Sequence, residues 1–216
     1  MKKFGLILMG ICFSIFVFAQ NPQQQGKDVV KEFSVKMQNL TSLSAKFSFT
    51  LENLKEKITD THEGDIVVKG KKYNLELMGM EAFYDGKTKW QFNKQANEVT
   101  ISEPKVLEGG FLDDPTKLFK DYEKNFKSKF IGEKNEKNRT IYELELYPVD
   151  LNTPYSKLNL KFDKKSLEPV QIKYQGKDGN NYIIKVKVFR SNVPVRDERF
   201  NFDPKKHKGI EIIDMR

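Results

Sequence analysis

Few side chains in this sequence are of the kinds that make and break bonds, and they are poorly spaced for it. The two histidines, His62 and His207, are far apart and each sits among charged neighbours. Neither has a second His or a Cys at metal-ligand spacing, and no Gly-x-Ser-x-Gly elbow or glycine-rich phosphate loop occurs. His62 is therefore expected to be exposed and idle. Asp113 and Asp114 form a carboxylate pair of the kind hydrolases use, but with Pro115 behind them a turn and helix cap is the simpler reading. Asn39-Leu40-Thr41 and Asn138-Arg139-Thr140 match the glycosylation sequon, a pattern frequent by chance. No catalytic residue, metal ligand or cofactor site is assigned, and the chain is expected not to be an enzyme.

The sequence does offer ordered apolar surface. Ala45, Phe47, Phe49 and Leu51 alternate with Ser44, Lys46, Ser48 and Thr50, the pattern of a strand with one apolar and one wet face. The period of two returns at Ile66 and Val68, at Tyr73, Leu75 and Leu77, at Trp90 and Phe92, and at Val99 and Ile101. It continues through Tyr142, Leu144 and Leu146, through Leu158, Leu160 and Phe162, through Ile172 and Tyr174, and through Ile184, Val186 and Val188. Gly70-Lys71-Lys72, Asp85-Gly86, Lys94 to Asn97, Asp163 to Lys165 and Lys177 to Asn180 supply turns between these runs. About ten strands with one apolar face cannot stay flat and exposed.

Two segments can cover that face. Val30, Phe33, Met37 and Leu40 share one side of an amphipathic helix, with Asp28 near its start. From Glu108 to Tyr122, Gly109 and Gly110 permit a turn, Pro115 can open a short helix, and Leu118, Phe119 and Tyr122 form its apolar side. The expected fold is mainly β with helices: a strongly curved antiparallel sheet forming an unclosed half-barrel, covered by an N-terminal helix and a short helical lid. Phe47, Phe49, Leu51, Tyr73, Leu75, Leu77, Trp90, Phe92, Val99 and Ile101 are the expected cavity wall, with Leu118, Phe119 and Tyr122 as lid.

The N-terminus speaks for export. Lys2 and Lys3 precede a largely apolar run from Phe4 to Phe18 that ends at Ala19. That run is shorter than the roughly 20 residues a membrane-spanning helix needs, so it reads as a signal peptide, residues 1–19, cleaved after Ala19. The single cysteine, Cys12, falls inside it without the small residue that lipidation requires before it. Residues 20–26, rich in Gln, read as a mobile leader, and 27–216 as one domain. The formal net charge of +8 becomes +6 without Lys2 and Lys3. Lysines are scattered, with one cluster at Lys205, Lys206 and Lys208, which suits a solvated face better than a nucleic-acid groove.

Specific runs point to a family. Phe83-Tyr84-Asp85-Gly86-Lys87-Thr88-Lys89-Trp90-Gln91-Phe92-Asn93, then Asn97-Glu98-Val99-Thr100-Ile101, resembles the Asp-Gly-Lys-x-x-Trp hairpin of LolA, the outer-membrane lipoprotein carrier family. Phe200-Asn201-Phe202-Asp203-Pro204 and Gly209-Ile210-Glu211-Ile212-Ile213-Asp214 are similar to its closing strand and tail, and Ala45-Lys46-Phe47 to its first strand. The resemblance implies a periplasmic carrier with an acyl-binding cavity. Such a carrier receives lipoproteins from an inner-membrane ABC exporter and passes them to the outer membrane and any acceptor there. A monomer without nucleic-acid partners is expected. Where the family has an Arg-Pro pair that helps latch the lid, this chain reads Lys69-Gly70-Lys71, and lysine lacks arginine's planar fork. A periplasmic lipid or lipoprotein sensor of the same fold is the alternative, and a secreted hydrolase a more distant one.

Overall fold

The structure, a computed structural model, describes residues 21–103, 114–116 and 122–216. Helix α1 spans Pro22–Gln38. It starts six residues before Asp28, so residues 22–26 of the stretch read as a mobile leader are helical. Asn21 is the N-cap, its side chain accepting from the Gln23 amide at 3.0 Å, and Pro22 sits where a missing N–H costs nothing. Gly26 explains why a Gln-rich turn can dock: a Cβ there would lie 2.8 Å from the backbone nitrogen of Phe130, so only glycine allows this approach.

Among the described residues twelve strands follow: β1 Ser42–Asn53, β2 Ile58–Lys69, β3 Lys72–Leu77, β4 Met80–Tyr84, β5 Lys89–Asn93 and β6 Glu98–Ser102, then β7 Phe126–Glu136, β8 Arg139–Pro148, β9 Tyr155–Asp163, β10 Pro169–Gly176, β11 Asn180–Ser191 and β12 Glu211–Asp214. A short helix, α2, spans Tyr122–Asn125. The strands form one sheet in the order β12-β6-β5-β4-β3-β2-β1-β11-β10-β9-β8-β7. Only the β12–β6 pair is parallel, and β12 and β7 stay apart as edges, so the sheet curls without closing. Strands β4, β7 and β12 lie outside the alternating runs of the sequence. In β7 a register shift between Phe130 and Gly132 breaks the period of two.

The inner face holds the main core. Val30, Phe33 and Met37 of α1 press on Leu144, Leu146, Leu158, Leu160 and Phe162, all of them buried. Phe33 stacks on Phe162 at 4.8 Å and meets Tyr122 edge-on at 5.7 Å. Between β1 and β11 a bulge at Lys46 and Phe47 resets the register, pairing Phe47 with Val186 and leaving Val188 exposed on the outer face. The outer face is laced with cross-strand ion pairs. After β11 the chain crosses the back of the sheet as a strap, through 3-10 turns at Asp197–Phe200 and Pro204–Lys206, before β12. Among the described residues no helix is long and apolar enough to cross a membrane.

Candidate functional site

Pairing register decides which predicted wall residues share a face, because side chains alternate along each strand and direct partners point the same way. Phe47 and Phe49 of β1, Ile66 and Val68 of β2, and Tyr73, Leu75 and Leu77 of β3 are all buried in the inner core. Leu51 stands on the same side, half-buried. Strand β4 continues this face with Met80, Ala82 and Tyr84, the partners of Leu77, Leu75 and Tyr73.

The next hairpin turns the pattern over. Tyr84 pairs with Lys89 and Ala82 with Gln91, so Trp90 and Phe92 point outward. Phe92 and Trp90 then pair with Val99 and Ile101, which follow them to the back of the sheet. Trp90, Phe92, Val99 and Ile101 are therefore separated from the other six wall residues by the thickness of the sheet. Their cover is the strap: Phe202 lies 5.7 Å from Phe83 and 5.2 Å from Phe92, and His207 stacks on Phe202 at 4.8 Å. The turn from Asp85 to Thr88 fixes this parity, which composition does not reveal.

On the inner face, β5 and β6 present Lys89, Gln91 and Asn93 against Ser102, Thr100 and Glu98. The apolar wall ends at β4. There a cleft of about 290 Å³ opens, lined by Leu75, Leu77, Met80, Ala82 and Gln91, with Met78 and Glu81 at its edge. Two predicted wall residues, Leu75 and Leu77, line it. Met80, Ala82 and Gln91 were missed, although Met80, Ala82 and Tyr84 do alternate. A smaller hollow of about 80 Å³ lies where Met37 and Leu40 meet Leu43, Val68 and Thr116.

Gly64 stands between the wall and the packed region. A Cβ on it would come within 2.5 Å of the Phe47 ring, so the ring fills the space a side chain would take.

Of the lid residues, Leu118 and Phe119 lie outside the described residues. Tyr122 is buried against Phe33 and Phe126, away from the cleft, and burial raises its phenol above the ordinary range. Burial likewise raises Tyr174 and Tyr155. Asp114 caps a turn, accepting from the amide of Thr116 at 3.1 Å and its hydroxyl at 2.6 Å. Tyr84, whose hydroxyl donates to the Gly86 carbonyl at 2.9 Å, is raised by burial and by the nearby charges of Asp114 and Asp85.

His62 departs from the expectation of an exposed residue. It faces inward beside Phe49, and its Nε2 lies 2.8 Å from Asp60 Oδ2 at the rim of the half-barrel. Lys69 holds the strap: its Nζ donates to the Val195 carbonyl at 3.1 Å and to Asp197 at 2.8 Å, and Lys72 donates to the other oxygen of Asp197 at 2.8 Å. Lys71 is exposed. Among the described residues no group of three His, Cys, Asp or Glu side chains could hold a metal ion. The described residues offer an apolar recess on the inner face and an aromatic cluster beneath the strap.

Comparison with known proteins bears on the fold and the family. The chain is 25% identical over 203 residues to uncharacterized protein MJ0687 of Methanocaldococcus jannaschii, covering 94% of this chain and 58% of that protein. It thus spans little more than half of that relative. An uncharacterized conserved protein from Thermus thermophilus superposes with a TM-score of 0.56 at 12% identity, over 87% of this chain and 98% of the other. A lipoprotein-sorting protein domain from Vibrio parahaemolyticus gives a TM-score of 0.47 at 12% identity, over 83% and 97%. The family model for outer membrane lipoprotein carrier protein LolA matches residues 38–203, from the end of α1 to the strap. With an unclosed twelve-stranded sheet, an N-terminal helix on its inner face and this match over most of its length, the chain belongs to the LolA family.

Proposed function

We propose that this protein is an exported, periplasmic carrier that binds the acyl chains of lipoproteins on the inner face of its sheet, at Leu75, Leu77, Met80 and Ala82. The observation that carries the reading is the cleft itself: α1 fills the interior over β7–β9, whereas the wall at β3 and β4 keeps about 290 Å³ of recess beside apolar side chains. That volume sits at the lower edge of the range of about 300–1,000 Å³ for small-molecule sites. Each methylene withdrawn from water contributes about 0.8 kcal/mol, enough for a fatty tail to favour the recess over solvent. Family membership supports the cargo class, an inner-membrane ABC exporter as donor, and delivery to the outer membrane. Nothing in the cleft calls for turnover, and the carrier acts by holding and releasing.

The test is displacement of a fluorescent fatty-acyl probe, followed by competition with a triacylated lipopeptide. Ala82→Phe, which fills the recess, and Leu75→Glu should each weaken probe binding while circular dichroism shows an unchanged fold. Emission from Trp90, the single tryptophan, should stay constant on binding because it lies on the opposite face. Undiminished binding by folded Ala82→Phe would rule out this cleft as the acyl site.

A further inference from the structure

Many outer-face lysines have partners, although Lys129 and Lys185 make no ion pair among the described residues. Lys46 meets Asp65 at 3.1 Å, Lys187 meets Glu63 at 2.7 Å, Lys173 meets Glu52 at 3.2 Å and Lys157 meets Glu145 at 2.5 Å. Glu76 and Glu81, on the back of β3 and β4, are engaged by Lys94.

The strap breaks this pattern. Lys69 and Lys72 of the β2–β3 hairpin share Asp197, and Lys206 lies 3.9 Å from Asp203. Lys71, Arg196, Arg199, Lys205 and Lys208 are exposed and make no ion pair among the described residues. Segments 69–72 and 190–208 together hold nine Lys and Arg against three carboxylates. That surplus of six, with Lys2 and Lys3, accounts for the whole formal charge of +8, so the rest of the chain balances to zero. The scatter of lysines in the sequence becomes one cationic strip because Lys69 and Lys72 bind the strap that carries the others.

We propose that this strip, on the back of the sheet, is a docking surface for an anionic lipid bilayer. Its shape and composition favour a bilayer over a protein. It lies on the convex side of a curled sheet, which can meet a plane. Between 190 and 208 the large apolar side chains turn inward, Phe200 and Phe202 being 0% and 6% exposed. A protein interface relies on desolvated aromatic or aliphatic anchors, which are missing here, whereas an anionic headgroup layer attracts lysines without them. This inference stands apart from the acyl cleft, which opens on the other face.

Co-sedimentation of the purified protein with phosphatidylcholine vesicles, with and without phosphatidylglycerol, tests it. Binding should need the anionic lipid and fade in high salt. Each neutralised lysine should cost about five-fold, so Lys205→Gln/Lys206→Gln/Lys208→Gln should lose about 100-fold in affinity. Lys55→Gln/Lys57→Gln/Lys127→Gln, with the same charge change away from the strap and the same N-terminus, should bind as the parent does. Equal losses in the two triples, or no preference for phosphatidylglycerol, would overturn the proposal. Capture by immobilised polyglutamate at a salt concentration where vesicles are ignored would instead assign the strip to an acidic protein.

Discussion

The two halves of the sheet use the same alternating pattern to different ends. Over β7–β11 the inward positions are large and α1 lies across them, leaving Leu144, Leu146, Leu158, Leu160 and Phe162 with no exposed surface. Over β3–β6 the inward side fades from Leu75 and Leu77 through Met80 and Ala82 to Gln91 and Thr100, and the large residues of β5 and β6 face the strap. The first half is a packed core; in the second, β5 and β6 turn their aromatic residues to the back of the sheet, and a recess stays open beside Met80, Ala82 and Gln91 among the described residues. On the proposed function, stability and binding fall to different regions.

The largest test of that division is Phe33→Ala, which removes the ring between Phe162 and Tyr122. It should lower unfolding stability by about 3–5 kcal/mol in denaturant titration, with the proposed acyl-binding residues untouched. If the loss is under about 1 kcal/mol, the first half is not tightly packed. Next comes the boundary between the halves: Gly64→Ala should cost about 1–3 kcal/mol by displacing the Phe47 ring, and adding Phe47→Leu should restore part of it. Additive losses in the double variant would mean the ring and glycine do not share the space.

Within the open half, Ala82→Phe should change stability by about 1 kcal/mol or less, since it projects into a recess. A much larger loss would mean the cleft is closed in solution. The smallest effect concerns the strap. Hydrogen bonds from Lys69 and Lys72 hold the Asp197 carboxyl down to about 2, against 3.8 when unperturbed. A depressed carboxyl stabilises the folded form above its unfolded pKa and loses that contribution as pH falls from about 4 to about 2. Because the group is exposed the effect is slight, and it should appear as lower protection of the strap amides, relative to their intrinsic exchange rates at the same pH, over that acid range. Asp197→Asn should show the lower protection already at neutral pH and no such pH step.

Much of the architecture was legible. The runs from Ala45 to Leu51 and from Leu158 to Phe162 became strands, and Val30, Phe33 and Met37 became the buried side of a helix, because one-dimensional periodicity reports one-sided burial directly. The helix start was placed too late, near Asp28, because the Gln-rich composition pointed to a leader where Asn21 caps the helix and Pro22 opens it. The candidate site was only half legible: Leu75 and Leu77 line the cleft, while Trp90 and Phe92 lie behind it. An alternating run states that one face is apolar without saying which.

The sequence by itself determined the strand periods, the amphipathic helix and the family, since these are carried by local order and motif. Only the tertiary structure decided the side to which each strand turns its apolar residues, the place where the interior stays open, and the gathering of scattered lysines beside the strap. Each of these depends on hairpin register or on contacts between segments more than a hundred residues apart, as in the bond from Lys69 to Asp197. Such relations are set when strands pair in space.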